Sequence, residues 1–350
     1  MRNFLAGLVV LVITLAIGAA GLELFVRFVY SDGSNFDIEM WRYAKDLKQV
    51  SEIPGVGHEH RPGSSGVYMG VPVAINSQGL RDREYPLEKP EGMVRVLMLG
   101  DSLMFGWGAP VEGTTSKALE RRLNPAGAPP RFEVINTGVG NTNTAMQVAY
   151  FVNKGYRFKP DVVLLNYFIN DAEETPRKKE NWLKDWSYAA VFIAGRLDIL
   201  QRTYFGKADW QQYYRDLYRP DAPGWRAAQQ AIAELAAFCR EKGIRLMVVH
   251  YPELHQLADY PFTDVTAQLA GIAEREKLPF LDLLPSVRAE EPTSLWVTPE
   301  DSHPNAKAAE LFSQAIAEKL RTTYAELFGG APSDAPAAPK ASNSSMPKGG

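Results

Sequence analysis

Short apolar runs alternate with helical patterns through most of the chain. The runs contain few polar residues, and the segments between them repeat apolar positions with the spacing of amphipathic helices. Near-continuous apolar strands that alternate with helices are typical of a parallel sheet covered on both faces, so the pattern predicts an open α/β architecture. The five predicted strands are 94–99, 132–136, 161–168, 244–249 and 279–284.

A long apolar segment lies near the N-terminus. Residues 4–22 carry no charge and, as a helix, would span roughly 28 Å, which matches the hydrocarbon core of a bilayer. Arg2 precedes the segment and Glu23 follows it, which favours a cytoplasmic N-terminus. We therefore expect residues 1–28 to anchor the protein in a bacterial inner membrane, with the rest facing the periplasm. The small residues at 18–20 leave a cleaved signal peptide, and a secreted protein, as the alternative.

Changes in composition divide the rest of the chain. Residues 29–92 are rich in Gly, Pro and polar residues and predict an irregular lead-in that packs on a main domain over 93–328. An aromatic-rich insertion occupies 181–225. It predicts either a lid that binds sugar rings or acyl chains, or a helical excursion that packs on the core or the bilayer, and the second is favoured for most of its residues. The tail, 329–350, predicts disorder.

Composition narrows the classes of function. The 350 residues are 45% hydrophobic, enough for a sizeable core, and the formal net charge of -3 gives no broad basic surface for nucleic acid. Cys239 is the single cysteine, so no intramolecular disulfide can form, and its helical spacing predicts a core position. No Cys/His cluster has the spacing of a zinc site. We expect neither a metal nor an organic cofactor.

Polar residues follow the predicted strands where ligands bind in this architecture. Ser102 follows the first strand and Asn170 follows the third, and either residue alone is more typical of a helix cap than of catalysis. Asp301 and His303 lie on a predicted loop before a long amphipathic helix. A carboxylate and an imidazole this close can pair, with the carboxylate orienting the imidazole that takes a proton from serine. The three signals together are more specific than any one.

The motifs resemble those of the SGNH (GDSL-type) hydrolase family over residues 94–327. The resemblance rests on G-D-S at 100–102, N-D at 170–171 and D-S-H-P-N at 301–305. It implies a flavodoxin-like three-layer α/β/α sandwich with a central parallel sheet. It also implies catalytic roles: Ser102 as nucleophile, His303 as general base, Asp301 as its orienting acid, and an oxyanion hole formed by the N–H of Ser102, the N–H of Gly140 and the side chain of Asn170.

Two positions have alternatives, and a third departs from the family. An ungapped match places the family's oxyanion glycine at Asn141, one residue after Gly140, and Asn141 is the second choice because Asn tolerates left-handed backbone angles. A strict D-x-x-H spacing selects Glu300 instead of Asp301. The glycine of the family's G-x-N-D is Phe168 here, which changes the expected shape of the acyl pocket.

The other histidines are interpreted as packing residues. His58 and His60 have the spacing of a metal pair, but without further ligands nearby they are expected on a surface loop. His250 and His255 follow the fourth strand, so they lie at the active edge of the sheet and are candidates to line the pocket, with loop packing favoured.

The expected function is that of a serine esterase. It would act through an acyl-serine intermediate on an ester of an envelope or secreted glycan or lipid. The first alternative is an O-acyltransferase or O-acetyltransferase that uses the same residues and passes the acyl group to a sugar hydroxyl. The second is a non-catalytic envelope scaffold of the same fold.

Overall fold

The structure is a computed structural model of the chain, and it describes residues 2–127, 129–175, 186–204 and 210–329, with side chains up to 197 in the third range. The tail from residue 330 onward lies outside the described residues. So do 181–185 and 205–209 of the aromatic insertion.

The described strands form one central sheet and three small hairpins. All five predicted strands are present as β5 to β9, and they pair in parallel in the order β6-β5-β7-β8-β9. In order along the chain, the strands are β1 (Lys48–Val50), β2 (His58–His60), β3 (Ser65–Tyr68), β4 (Val71–Ala74), β5 (Val94–Leu99), β6 (Phe132–Asn136), β7 (Val162–Tyr167), β8 (Arg245–His250), β9 (Phe280–Asp282), β10 (Trp296–Thr298) and β11 (Asp301–Pro304).

Helices cover the sheet, as the apolar pattern predicts. Every residue of β5 and β7 is buried, because these central strands have neighbours on both edges and both faces. Helices α4 and α11 pack on each other, as do α5 and α8. The described α-helices are α1 (Arg2–Phe25), α2 (Phe36–Leu47), α3 (Ser102–Phe105), α4 (Thr115–Leu123), α5 (Thr144–Asn153), α6 (Tyr188–Tyr204), α7 (Trp210–Leu217), α8 (Pro223–Lys242), α9 (Thr263–Arg275), α10 (Leu284–Val287) and α11 (Ala306–Thr323).

The three-layer α/β/α sandwich expected from the sequence is confirmed. Its core includes Cys239 on α8, which is buried as its helical spacing predicts. The chain reverses its direction of progress across the sheet at β5, whose neighbours are β6 and β7. Ligands in open α/β sheets bind at such a point, outside the carboxyl ends of the strands.

The lead-in, residues 29–92, is more regular than the sequence predicts. It contains helix α2 and the antiparallel hairpins β1-β2 and β3-β4. Asn35 caps α2, with its side chain accepting from the N–H of Ile38. The strands have only three or four residues, too short to show a clear alternation of apolar and polar positions, so the pattern concealed them.

The apolar N-terminal helix stands away from the domain and meets it at one end. The helical stretch Asn3–Tyr30 has a mean hydropathy of 2.5 over its most apolar window, none of which is buried, so it is long and apolar enough to cross a membrane or to serve as a signal sequence. At its domain end, Glu23 accepts hydrogen bonds from the Ser187 hydroxyl and the Ala189 N–H. Because these groups lie at the start of α6, Glu23 caps that helix and joins α1 to the aromatic insertion.

Candidate active site

Ser102 is the first residue of α3, directly after the turn that follows β5. Asp101 caps this helix, with its carboxylate accepting from the N–H of Leu103 over 2.9 Å. A Cβ at Gly100 would lie 2.2 Å from Cγ of Met104, so the turn is too tight for any other residue there. The capping interpretation of Ser102 is therefore unnecessary, because its neighbour performs that role.

Ser102, His303 and Asp301 form a continuous hydrogen-bonded chain. The carboxylate of Asp301 accepts from Nδ1 of His303 over 2.6 Å and from its backbone N–H over 3.0 Å. Because a carboxylate can only accept, Nδ1 carries the proton and Nε2 is left as an acceptor. The Ser102 hydroxyl lies 2.9 Å from Nε2 and donates to it. The arrangement can remove a proton from Ser102 and stabilise the resulting imidazolium.

A hairpin holds Asp301 and His303 in place. Asp301 and His303 lie on β11, which pairs with β10, and not on the open loop that the sequence predicts. Asn305 caps α11, with its side chain accepting from two backbone N–H groups. The helix therefore needs no cap from Asp301. The turn signals around residues 299–301 and the proline at 304 concealed this four-residue strand.

Asp301 stays ionised beneath the imidazole. Burial acts to raise its pKa, but hydrogen bonds from His303 and from the indole N–H of Trp107, 2.9 Å away, outweigh that effect and hold the pKa below its usual value. Glu300 is exposed, and no hydrogen bond joins it to His303 in the described part of the chain. The sequence left both Asp301 and Glu300 as possible partners of His303, and in the structure Asp301 makes the contact.

In the second block, Asn141 lines the Ser102 pocket, while the N–H of the preceding Gly140 is occupied by another residue. That N–H donates to the Tyr43 hydroxyl over 3.0 Å, which conflicts with its expected use in an oxyanion hole. Asn141 lines the same pocket as Ser102 and has a φ of 61°, in the left-handed region that Asn tolerates. Among the described residues, none accepts from the Asn141 N–H. The sequence could not reveal this difference, since Tyr43 lies 97 positions away.

The lead-in holds Gly140 through both its backbone N–H and its carbonyl. Its carbonyl accepts from Nζ of Lys48 over 2.9 Å and from Nε2 of His58 over 3.1 Å. On the N–H side, Tyr43 donates its hydroxyl proton to Nε2 of His60, 2.7 Å away. We name these four residues, Tyr43, Lys48, His58 and His60, the Gly140 clamp. The expectation that His58 and His60 lie on a surface loop is wrong, because both belong to β2 and His60 is buried.

Both histidines of the clamp are neutral. Burial lowers the pKa of His58 to about 4 and that of His60 to about 3. Neutral His60 donates from Nδ1 to the carbonyl of Gly79, 3.2 Å away, which leaves Nε2 free to accept from Tyr43. His58 and His60 therefore act in the clamp as neutral rings, beside the Lys48 amine that also donates to the Gly140 carbonyl.

Changing Tyr43 to Phe is expected to lower kcat about tenfold while KM stays within about twofold. The change removes the acceptor for the Gly140 N–H and loosens the adjacent Asn141, an effect felt only when negative charge develops on the substrate oxygen. Loss of the buried hydrogen bond should also lower the free energy of unfolding by about 1–3 kcal/mol. Steady-state kinetics and chemical unfolding measure both effects.

Tyr68→Phe is the matched control. Tyr68 packs against Tyr43 in the same small core, but among the described residues its hydroxyl bonds only to Asp46, at 3.4 Å. It should leave both kcat and KM near the wild-type values. An equal loss of kcat in the two variants would show that the core, and not the hydroxyl of Tyr43, sets the rate.

The third block contributes Asn170 on a short turn after β7. Asp171 organises this turn by accepting from the N–H of Phe168 over 2.8 Å and from Nε2 of Gln147 over 2.8 Å. Burial, followed by the charge of Asp101, raises the pKa of Asp171 well above its usual value. The turn places both Phe168 and Asn170 on the wall of the pocket that holds Ser102.

The pocket has a volume of about 420 Å³ and is open to solvent on one side. Of the two histidines at the active edge, His255 lines it, whereas His250 is buried against Phe280. No cluster of three or more His, Cys, Asp or Glu residues suited to a metal occurs in the described ranges. The wall is formed by Phe36, Met40, Ser102, Leu103, Asn141, Phe168, Asn170, Trp210, Tyr214, Pro252, Glu253, Leu254, His255, Ser302, His303 and Pro304.

Comparison with known proteins agrees with the motifs. The model of the GDSL-like lipase/acylhydrolase family matches residues 98–311, which is more than half of the chain. The chain belongs to this family. No curated protein matches the sequence. The strands that precede Ser102, Asn141 and Asn170 lie within the matched range or begin just before it. The hairpin of Asp301 and His303 lies within it.

Two solved structures of bacterial proteins are among those similar to this chain. A lipase/acylhydrolase from Enterococcus faecalis is 13% identical with a TM-score of 0.41, and the match covers 66% of this chain and 97% of that one. A GDSL-like lipase from Bacteroides thetaiotaomicron is 13% identical with a TM-score of 0.40, and the match covers 68% of this chain and 93% of that one.

The site residues that lie outside the family match were not predicted from the sequence. Phe36 of α2 stacks near His303, with ring centroids 6.0 Å apart, and Met40 lines the pocket beside it. The Gly140 clamp also belongs to the lead-in. The only signal for α2 was a short amphipathic pattern after the capping residue Asn35, and that pattern gives no information about what the helix contacts.

Proposed function

We propose that this acylhydrolase is a serine esterase that acts through an acyl-Ser102 intermediate. The observation that carries the proposal is the hydrogen-bonded chain from Ser102 through His303 to Asp301, with distances of 2.9 Å and 2.6 Å. Chains of this kind activate serine in unrelated folds, so the geometry supports the chemistry independently of the motif.

The first step forms the acyl-enzyme. Nε2 of His303 takes the proton of Ser102 as Oγ attacks the ester carbonyl, and a tetrahedral oxyanion forms. The imidazolium then returns its proton to the alcohol oxygen as the C–O bond breaks. In the second step, His303 takes a proton from water, the resulting hydroxide attacks the acyl carbon, and Ser102 Oγ leaves with the proton from the imidazolium. The carboxylate of Asp301 stabilises the imidazolium in both steps.

Three donors are proposed for the oxyanion. They are the N–H of Ser102, the N–H of Asn141 in place of Gly140, and the side-chain amide of Asn170. All three residues line one pocket, and the backbone N–H groups of Ser102 and Asn141 have no acceptor within the described part of the chain. Donors fixed in this way stabilise the charge that develops in the transition state.

The proposed substrate is an ester on an envelope or secreted glycan or lipid, because the catalytic domain is proposed to face the periplasm from a single-pass anchor. The exposed apolar helix α1 and the contacts of its domain end with the start of α6 support this location. Intact cells and spheroplasts treated with protease test it. The domain should be degraded in spheroplasts, while its recovery in the soluble fraction without the N-terminal segment would indicate the secreted alternative.

Hydrolysis is tested with the full chain in detergent. It should hydrolyse 4-nitrophenyl acetate and react with a fluorophosphonate probe, and peptide mapping should place the probe on Ser102. If a folded protein shows neither reaction, the esterase proposal fails and the scaffold alternative gains support. If the probe labels Ser102 but the acetyl group moves to an added sugar faster than to water, the reaction is acyl transfer.

A further inference from the structure

A second carboxylate–imidazole pair lies on the wall of the Ser102 pocket. Nδ1 of His255 hydrogen-bonds to Oε1 of Glu253, and the backbone N–H of His255 donates to Oε2 over 3.0 Å. Asp301 holds His303 through the same two nitrogens, and in both pairs the acid lies two positions before the histidine. The esterase mechanism uses only one of the pairs.

The second pair presents a polar atom to the pocket. The side chain of His255 is 49% exposed, whereas that of Glu253 is 5% exposed, so the carboxylate fixes the ring from below. Because Glu253 accepts from Nδ1, neutral His255 has an acceptor at Nε2, and protonation would turn that atom into a donor. In the described part of the chain, Nε2 has no hydrogen-bond partner. Its hydrogen-bonding capacity is therefore available to a ligand.

Aromatic rings flank this imidazole. The ring centroids of Trp210 and Trp296 lie 5.6 Å and 4.8 Å from that of His255. Trp210 is 39% exposed and lines the pocket together with Tyr214. An indole face beside a fixed hydrogen-bonding group suits a ligand with one apolar face and hydroxyl groups at its edge. A sugar ring has this chemistry.

Two other ligand classes fit this part of the wall less well. An acyl chain against His255 would cover Nε2 without giving it a hydrogen bond, which is unfavourable. An anion would lie close to the Glu253 carboxylate, which opposes it. The part of the wall from α2, with Phe36 and Met40, has no side-chain polar group of this kind and suits the acyl group.

We propose that Glu253, His255 and Trp210 form a subsite for the alcohol portion of the ester, and that this alcohol is a sugar. His255 hydrogen-bonds to a ring hydroxyl, Glu253 fixes the imidazole, and Trp210 covers a face of the ring. The subsite rests on the proposed acyl transfer through Ser102, and it selects the glycan from the glycan and lipid esters considered above.

The test compares two acetate esters that differ in the alcohol, 6-O-acetylglucose and 4-nitrophenyl acetate, with the full chain in detergent. His255→Leu and Trp210→Leu should each lower the ratio of kcat/KM for the sugar ester to that for the aryl ester about tenfold, mainly through KM. Trp186→Leu is the matched control, because Trp186 is also exposed but does not line the pocket. It should leave the ratio at the wild-type value.

Unchanged ratios in both pocket variants would overturn the subsite. So would a change that follows acyl length, measured with 4-nitrophenyl butyrate against the acetate. Fluorescence titration of Ser102→Ala with 6-O-acetylglucose separates this proposal from the esterase proposal, since it needs no turnover. If Ser102→Ala binds 6-O-acetylglucose and the added His255→Leu abolishes that binding, the subsite is supported. If the wild type then hydrolyses neither ester, the esterase proposal is overturned while the subsite stands. If Ser102→Ala does not bind 6-O-acetylglucose but the wild type hydrolyses the aryl ester, the esterase proposal is supported and the subsite is overturned.

Discussion

Changing Ser102 to Ala is expected to lower kcat for 4-nitrophenyl acetate at least about 10,000-fold and to abolish fluorophosphonate labelling. The hydroxyl is the atom that attacks the carbonyl, and without it the pocket retains only its oxyanion donors and binding contacts. Within the described ranges the side chain makes one hydrogen bond, to His303, so its loss should leave the fold intact. Stopped assays, gel fluorescence and circular dichroism measure the three quantities.

Ser65→Ala is the matched control for this change. Ser65 is exposed on β3, outside the Ser102 pocket, so its removal should alter neither hydrolysis nor labelling. If Ser102→Ala kept more than about a tenth of the wild-type rate, Ser102 would not be the nucleophile.

Changing Asp301 to Asn should lower kcat about 1,000-fold to 10,000-fold, whereas Glu300→Gln should change it less than about threefold. An asparagine amide can donate to Nδ1 of His303, which moves the ring proton to Nε2. A protonated Nε2 cannot accept from Ser102. Glu300 is exposed and makes no such contact in the described residues, so its charge has little effect on the ring.

The pair of variants distinguishes the two acids directly. Kinetics with 4-nitrophenyl acetate at pH 8 give the rates, and thermal unfolding shows whether Asn tolerates the hydrogen bond from Trp107. A greater loss in Glu300→Gln than in Asp301→Asn would assign the orienting role to Glu300 and would require the β10-β11 hairpin to rearrange in solution.

The positions of Ser102 and Asn170 could be predicted because each directly follows an apolar strand. Parallel strands place all their carboxyl ends at one edge of the sheet, so residues far apart in sequence meet there without further information. The pairing of Asp301 with His303 could also be predicted from the sequence, since an acid and a histidine two residues apart meet through local geometry. The five predicted strands and the three segments that follow the first strand, follow the third strand and precede the last helix were therefore enough to predict which of these residues meet.

The oxyanion position of the second block could not be predicted in this way. Gly140 and Asn141 are adjacent, and each supplies a backbone N–H whatever its side chain is. Only the approach of Tyr43 from the lead-in, at 3.0 Å, occupies one of the two N–H groups and leaves the other to the pocket. A contact between residues 97 positions apart has no local pattern.

The sequence by itself determined the fold class, the edge of the sheet at which the chemistry lies, and the residues able to perform it. These follow from hydrophobic periodicity and from short-range spacing, which are properties of local segments. The tertiary structure alone decided which N–H groups are unoccupied, how the lead-in completes the pocket, and that Glu253 and His255 form a second pair on the wall of the Ser102 pocket. Those features depend on packing between distant segments, where the hydrogen-bond partner of each polar group is chosen by proximity in space.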